Sequence, residues 1–168
     1  MPNGTDIRLP EDPEAIRKMA DDRFGFEKDK HILLFVGSLV WQKNIRLTLE
    51  TMKVLKKSSQ DFILYFAGKG YYAEQIKQYA ASLGLDDSDV RFLGRIEDRE
   101  LLAGVMLNAD LLFFPSVYDN APLVLRESAA LELPALLVDG SNAAEVVTDG
   151  INGFTAKEKP EAMAARII

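Results

Sequence analysis

The sequence predicts an α/β fold, a doubly wound parallel sheet of about six strands with helices on both faces. Three observations carry that expectation. Short, continuously apolar runs recur along the chain. The first four end in glycine or proline. Segments with apolar residues at helical spacing lie between them. A strand buried on both faces reads as an unbroken apolar run. Helices alternating with such strands close right-handed βαβ units around a parallel sheet.

Residues 1–30 are polar and punctuated by Pro2, Gly4, Pro10, Pro13 and Gly25; they read as a linker with a short helix over 14–23. Ile32, Leu33, Leu34, Phe35 and Val36 form a first buried strand, closed by Gly37. Ile45, Leu49, Met52 and Leu55 then recur at helical spacing, giving an amphipathic helix to about Lys57. A second strand spans 62–67 and ends at Gly68. Ile76, Tyr79, Ala80 and Leu83 line a second helix, which Gly84 closes as a C-cap. The third strand covers 90–93 and ends at Gly94; Asp98 then N-caps a helix lined by Leu101, Leu102, Val105 and Met106. The fourth strand, 111–114, is stopped by Pro115, and 123–131 is helical. A fifth strand covers 135–138. Asn142 and Glu145 resemble a capping box for a short helix to about Val147. Phe154 and Thr155 make a short sixth strand, and a last helix occupies 161–168.

Composition narrows the function. A chain of 168 residues suits about one domain. Acidic residues number 26 against 20 basic ones, a net charge of −6, which disfavours nucleic acid as a partner. Cysteine is absent and histidine occurs once. That excludes cysteine nucleophiles, Cys/His zinc sites and a histidine triad, beyond what His31 alone could serve. No apolar run approaches the ~18 residues needed to span a bilayer, so no transmembrane segment is expected. Residues 1–6 lack a secretory signal pattern.

In doubly wound sheets ligands bind beyond the carboxyl ends of the strands, near the point where strand order reverses. After the first strand, Gly37 would let a ligand approach the backbone, and Lys43 beside a helix start suits a diphosphate. A tight turn with Lys43 in solvent accounts for the same residues. Gly68, Gly70 and Ala73 match the G-x-G-x-x-A dinucleotide pattern, but on the second strand and without the acidic residue that should end the next one. A tight turn near the ligand is the better account. Asp86, Asp87 and Asp89 lack the glycine and closing glutamate of a calcium loop and read as a solvated turn. His31 reads as structural, and Trp41 as either core or base-stacking.

The segment 119–127 is the richest. Asp119 lies in a loop, and Glu127 lies in the following helix on the same face as Leu123, able to point toward the sheet edge. A carboxylate there can accept two hydroxyls of a sugar diol. The N–H groups of Ala121, Leu123 and Val124 begin the helix and can hold an anion, with Pro122 near its first position. An ordinary helix carboxylate paired with Arg126 or another base is an equal account of Glu127.

The ordered set of motifs resembles the carboxyl-terminal, nucleotide-sugar-binding domain of retaining GT-B glycosyltransferases of family 4 (glycosyltransferase group 1). The matching segments are the asparagine-glycine linker at 2–6, Gly37 with Lys43 and Asn44, the second glycine turn at 66–70, the strand and loop 90–94, and 114–116 followed by Asp119 through Glu127 as the E-x7-E segment. Leu133, Pro134 and the stretch 144–153 resemble the closing section. The resemblance runs through nearly the whole chain. It implies a Rossmann-like sheet that is the C-terminal half of a GT-B fold, with 1–30 as interdomain linker and 31–168 as the donor domain. It implies catalytic roles for Lys43, Asp119 and Glu127: Lys43 on the donor diphosphate and Glu127 on the ribose hydroxyls. Gly37, Ser38, Gly68, Gly94, Arg95, Ile96, Asn120, Ala121, Pro122, Leu123 and Val124 complete the implied donor site.

The implied donor is a UDP-sugar or GDP-mannose, without metal or other cofactor. The implied partner is an N-terminal acceptor domain of the same enzyme, which supplies a histidine. The chain then reads as a fragment that binds nucleotide and turns over nothing. The implied setting is cytoplasmic, peripheral at the membrane in the full enzyme. The sequence departs from the family at three positions: Ser38 where arginine is common, Asp119 for glutamate and Pro122 for glycine. Arg95 or Arg126 would be the replacement cation. A flavodoxin- or receiver-like module and an NAD-type domain are the alternatives. The strand ends carry Gly37 and Gly94 where a receiver needs acids.

Overall fold

The computed structural model describes residues 8–120 and 122–168. The linker motif at 2–6 and Ala121 lie outside the described residues. The apolar runs form six parallel strands: β1 (His31–Val36), β2 (Phe62–Ala67), β3 (Val90–Gly94), β4 (Leu111–Phe114), β5 (Ala135–Val138) and β6 (Phe154–Ala156). Their order in the sheet is β3-β2-β1-β4-β5-β6. Between them run α1 (Pro13–Phe24), α2 (Ile45–Leu55), α3 (Ala73–Ser82), α4 (Arg99–Asn108), α5 (Leu123–Ala130) and α6 (Pro160–Ile167). The chain moves outward from β1 to β3, returns to β4 on the other side of β1, and continues to β6. The switch point therefore lies between β1 and β4, where Leu33 pairs with Leu111 and Leu34 with Leu112. A flavodoxin or receiver sheet reverses between its first and third strands, so this order does not fit that alternative.

Alternation along each strand builds two cores. Ile32, Leu34, Ile63, Tyr65, Leu112, Phe114 and Leu137 face α1, α4 and α5. Leu33, Phe35, Leu64, Phe66, Leu49 and Ile76 form the opposite layer with α2 and α3, and Met163 of α6 joins Phe113, Leu136 and Val138. Both faces of the sheet are covered, which is why the strands read as unbroken apolar runs.

The local capping largely follows the sequence. Asp98 caps α4 by accepting the N–H groups of Glu100 and Leu101 at 2.9 and 3.1 Å. Gly84 stands at φ 78°, one residue past the α3 cap, so that the Leu85 N–H reaches the Ala80 carbonyl. Two details differ. The turn at Asn142–Val146 is a 3-10 turn capped by Ser141, whose hydroxyl accepts from Ala144 N–H at 3.3 Å; Asn142 is already inside it. Pro122 is the N-cap of α5 rather than its first residue, so its missing N–H lies outside the helix.

α1, grouped with the linker in the sequence reading, packs on α4. Ala20 is fully buried and Ile16 and Phe24 join the core. Gly104 makes this possible, because a Cβ there would lie 2.5 Å from the Ile16 carbonyl oxygen and 2.8 Å from Ala20 Cβ. The packed unit thus includes α1.

Candidate functional site

The loops after β1, β2 and β3 are joined through their backbones. Gly37 N–H donates to the Ala67 carbonyl (3.1 Å), Leu39 N–H to Lys69 (3.0 Å) and Gly68 N–H to Gly94 (2.8 Å). A Cβ at Gly68 would lie 1.8 Å from the Gly37 carbonyl oxygen, and one at Gly70 would lie 2.4 Å from that of Leu39. Both glycines of the G-x-G are therefore required by a neighbouring protein loop, on the second strand of the chain. That removes the basis of the NAD-type alternative. Beside this junction opens a cleft of about 460 Å³, lined by Gly37, Ser38, Gly68, Lys69, Arg95 and Ile96, with Leu102 of α4 on its wall. The volume is that of a small-ligand site. Of the expected residues, the fold brings Gly37, Ser38, Gly68, Arg95 and Ile96 together here; Gly94 pins the adjoining loops. Arg95 is exposed and paired with Glu97 at 3.3 Å.

Lys43 stands apart from this cleft, at the switch point. A 3-10 turn, Trp41–Lys43, separates the glycine loop from α2, where the sequence suggests a direct helix start. Asn44 follows in the left-handed region at φ 59°. Its amide donates to the Pro115 carbonyl (3.1 Å) and to Glu158 Oε1 (2.9 Å), clamping the β1 loop onto the β4 loop. Lys43 Nζ donates to both oxygens of Asp119, at 2.8 and 2.7 Å, and each side chain is 28% exposed. The reading of Lys43 as a solvated turn residue is thereby corrected. Burial works against the Asp119 charge most strongly. Hydrogen bonds from Lys43 and Ser116, with the ammonium charge, outweigh it and hold the carboxyl below its usual range.

Glu127, four residues into α5, is 6% exposed. Its Oε1 accepts from Arg99 Nη2 at 3.2 Å. The base opposite Glu127 is thus Arg99, at the start of α4. Leu123, one turn earlier, is 45% exposed. Leu123 and Val124 open α5, Asn120 is exposed before it, and Ala121 is outside the described residues. Neither Lys43 nor Glu127 lines the cleft. Arg99 and Leu102 share a face of α4, however, so the Arg99–Glu127 pair stands beside it.

Sequence reasoning missed Arg99, Lys69, Leu102 and Ser116. Arg99 carried a signal. A cation in the first turn of a helix opposes the positive end of the helix dipole, which marks Arg99 as out of the ordinary. Trp41 packs on Tyr72 and Tyr79 with Arg46 over its ring, away from the cleft. Asp86 accepts the Ser88 N–H and hydroxyl at 2.8 and 2.6 Å, closing an exposed turn. His31 is exposed against Phe62.

The sheet order is that of a Rossmann-like doubly wound sheet, and in fold the chain matches the C-terminal half of GT-B glycosyltransferases. The chain belongs to the family described as glycosyl transferases group 1, whose family model matches residues 17–168. It is 29% identical over 133 residues to the GDP-mannose-dependent alpha-(1-6)-phosphatidylinositol dimannoside mannosyltransferase of Mycobacterium tuberculosis, covering 79% of this chain and 33% of that protein. In fold it matches the C-terminal domain of the group 1 glycosyl transferase LpcC from Francisella tularensis (TM-score 0.75, 15% identity, 96% of this chain and 83% of that one). It also matches Anabaena HepE in complex with UDP and glucose (TM-score 0.78, 20% identity, 97% and 44%). The chain spans about a third of the length of the curated relatives it matches.

Proposed function

We propose that this chain is the nucleotide-sugar-binding half of a retaining, metal-independent glycosyltransferase of family 4. The observation that carries the reading is the cleft that Gly37, Ser38, Gly68, Arg95 and Ile96 line at the carboxyl ends of β1 to β3; the Lys43–Asp119 pair lies outside it, at the switch point. The base would lie between Arg95, Ile96 and the Gly94 loop. Glu127 would take the ribose hydroxyls. The diphosphate would extend toward Lys43 and the start of α5, where Asn120, Leu123 and Val124 carry backbone N–H groups. Ser38 and Gly68 would line its path, with Pro122 at the helix start.

As the glycosidic bond breaks, charge builds on the departing diphosphate. The Lys43 ammonium and the positive end of α5 interact more strongly with that charge than with the intact donor, which lowers the barrier. Asp119 must release Lys43, in whole or part, for this to occur, and its carboxylate then lies near the sugar. The acceptor contacts and a histidine would come from an N-terminal domain of the complete enzyme. This chain by itself therefore binds nucleotide without turnover. The UDP of the HepE complex and the GDP-mannose dependence of the mycobacterial relative support a UDP-sugar or GDP-mannose donor. The reading carries a cytoplasmic setting, peripheral at the membrane in the full enzyme. Among the described residues no helix is long and apolar enough to cross one.

Calorimetric titration with UDP, GDP and ADP tests the reading. Binding of at least one at millimolar concentration or better is expected, weakened by Lys43→Ala with Glu127→Ala. No heat with any of the three, or unchanged binding in the double variant, overturns it.

A further inference from the structure

Glu127 is a carboxylate only 6% exposed, and a buried charge is costly unless it is paired and hydrogen-bonded. Arg99 supplies the partner from an unusual place. It is the first residue of α4, where the helix dipole disfavours positive charge, and its Nη2 lies 3.2 Å from Glu127 Oε1. Its side chain is 50% exposed, so it covers the carboxylate from the solvent side. The base of α4 is held in place: the Asp98 carboxylate caps it through Glu100 and Leu101 N–H groups. Leu102, one turn along the same face, lines the cleft, as do Arg95 and Ile96 in the connection that leads to α4.

We propose that Arg99 is the positioning residue for Glu127. The planar guanidinium donates from Nη2 to Glu127 Oε1 and fixes the orientation of the carboxylate, so that it can present acceptors to a cis-diol. This rests on the reading of Glu127 as the ribose-binding acid. Arg99 itself touches no ligand in this account. Its effect is confined to the diol and leaves the remaining nucleotide contacts intact.

The test compares UDP with 2′,3′-dideoxy-UDP, or the guanine pair where GDP binds better, by titration of this chain. The unaltered chain is expected to prefer the ribose form by roughly tenfold, the scale of a charge-assisted hydrogen bond. Arg99→Ala brings that ratio toward one while the dideoxy affinity stays put, and Arg99→Lys restores part of it. Glu127→Gln abolishes the preference, and adding Arg99→Ala to it costs nothing further. A general structural role would instead weaken both ligands alike. Should Arg99→Ala not fold, as judged by circular dichroism, Arg99→Gln replaces it and shifts the ratio in the same direction. If the ratio survives both Arg99 variants while Glu127→Gln abolishes it, the positioning role is overturned and the ribose reading stands. If the unaltered chain binds both nucleotides equally, or neither, the ribose reading falls and the positioning role with it.

Discussion

Lys43 and Asp119 show how one residue sets the terms of a site. The bidentate pair neutralises the Lys43 ammonium, which stands at the switch point between the β1 and β4 loops. An incoming diphosphate must compete with that carboxylate for Lys43 and endure its repulsion. Asp119→Asn is therefore expected to tighten nucleoside diphosphate binding several-fold at low ionic strength, with the gain shrinking as salt rises. Weaker binding in the variant would show that Asp119 assists the ligand. The same carboxyl links folding to pH. Its folded pKa is lowered, so its contribution is present above the unfolded value of about 4 and is lost as pH falls through the folded value. Urea midpoints of the unaltered chain and Asp119→Asn should differ near neutrality and converge in acid below about pH 4. The acid charge at 119 and the base at 43 were legible in the sequence. Their pairing was not, because it depends on two loops distant in the chain converging at one edge of the sheet.

Among the elements, α1 was legible as a helix to within a residue at each end, but not as part of the packed unit. Its twelve residues carry a mostly polar surface and follow prolines, so local composition resembles a linker. Ile16, Ala20 and Phe24 anchor it, with Ala20 lying over the bare backbone of Gly104 in α4, a close approach that no residue of α1 announces in the sequence. Gly104→Ala tests that contact by the sign of its effect. In an ordinary helix interior the change stabilises by up to about 1 kcal/mol. Here the added methyl meets backbone at 2.5 Å, and α1 must shift, with an expected loss of about 1–3 kcal/mol read from the denaturant midpoint. A gain in stability would mean the helices are not closely apposed. The other helices and strands were legible to within a residue or two, since burial on both faces of the sheet imposes apolar runs and helical periods that are local properties.

At the scale of the whole molecule, the cleft is walled by loops from β1, β2 and β3 and flanked by the start of α4. Ligand bound there couples three strands and a helix. Saturating nucleotide should raise the melting temperature of the chain, by an amount that grows with the logarithm of its concentration over Kd. A melting temperature unmoved by a nucleotide that calorimetry shows to bind would mean that the unfolded chain binds it equally well.

The sequence by itself determined the parallel α/β architecture, the loops that carry Gly37, Gly68 and Gly94, and the ordered motifs of a group 1 glycosyl transferase, because each is written in residues close together along the chain. Tertiary structure alone decided that Lys43 answers to Asp119, that Arg99 covers Glu127, and that the second glycine turn makes room for a protein loop. Those partners lie far apart along the chain and meet only when the strands assemble in this order, because charge and van der Waals contact act through space.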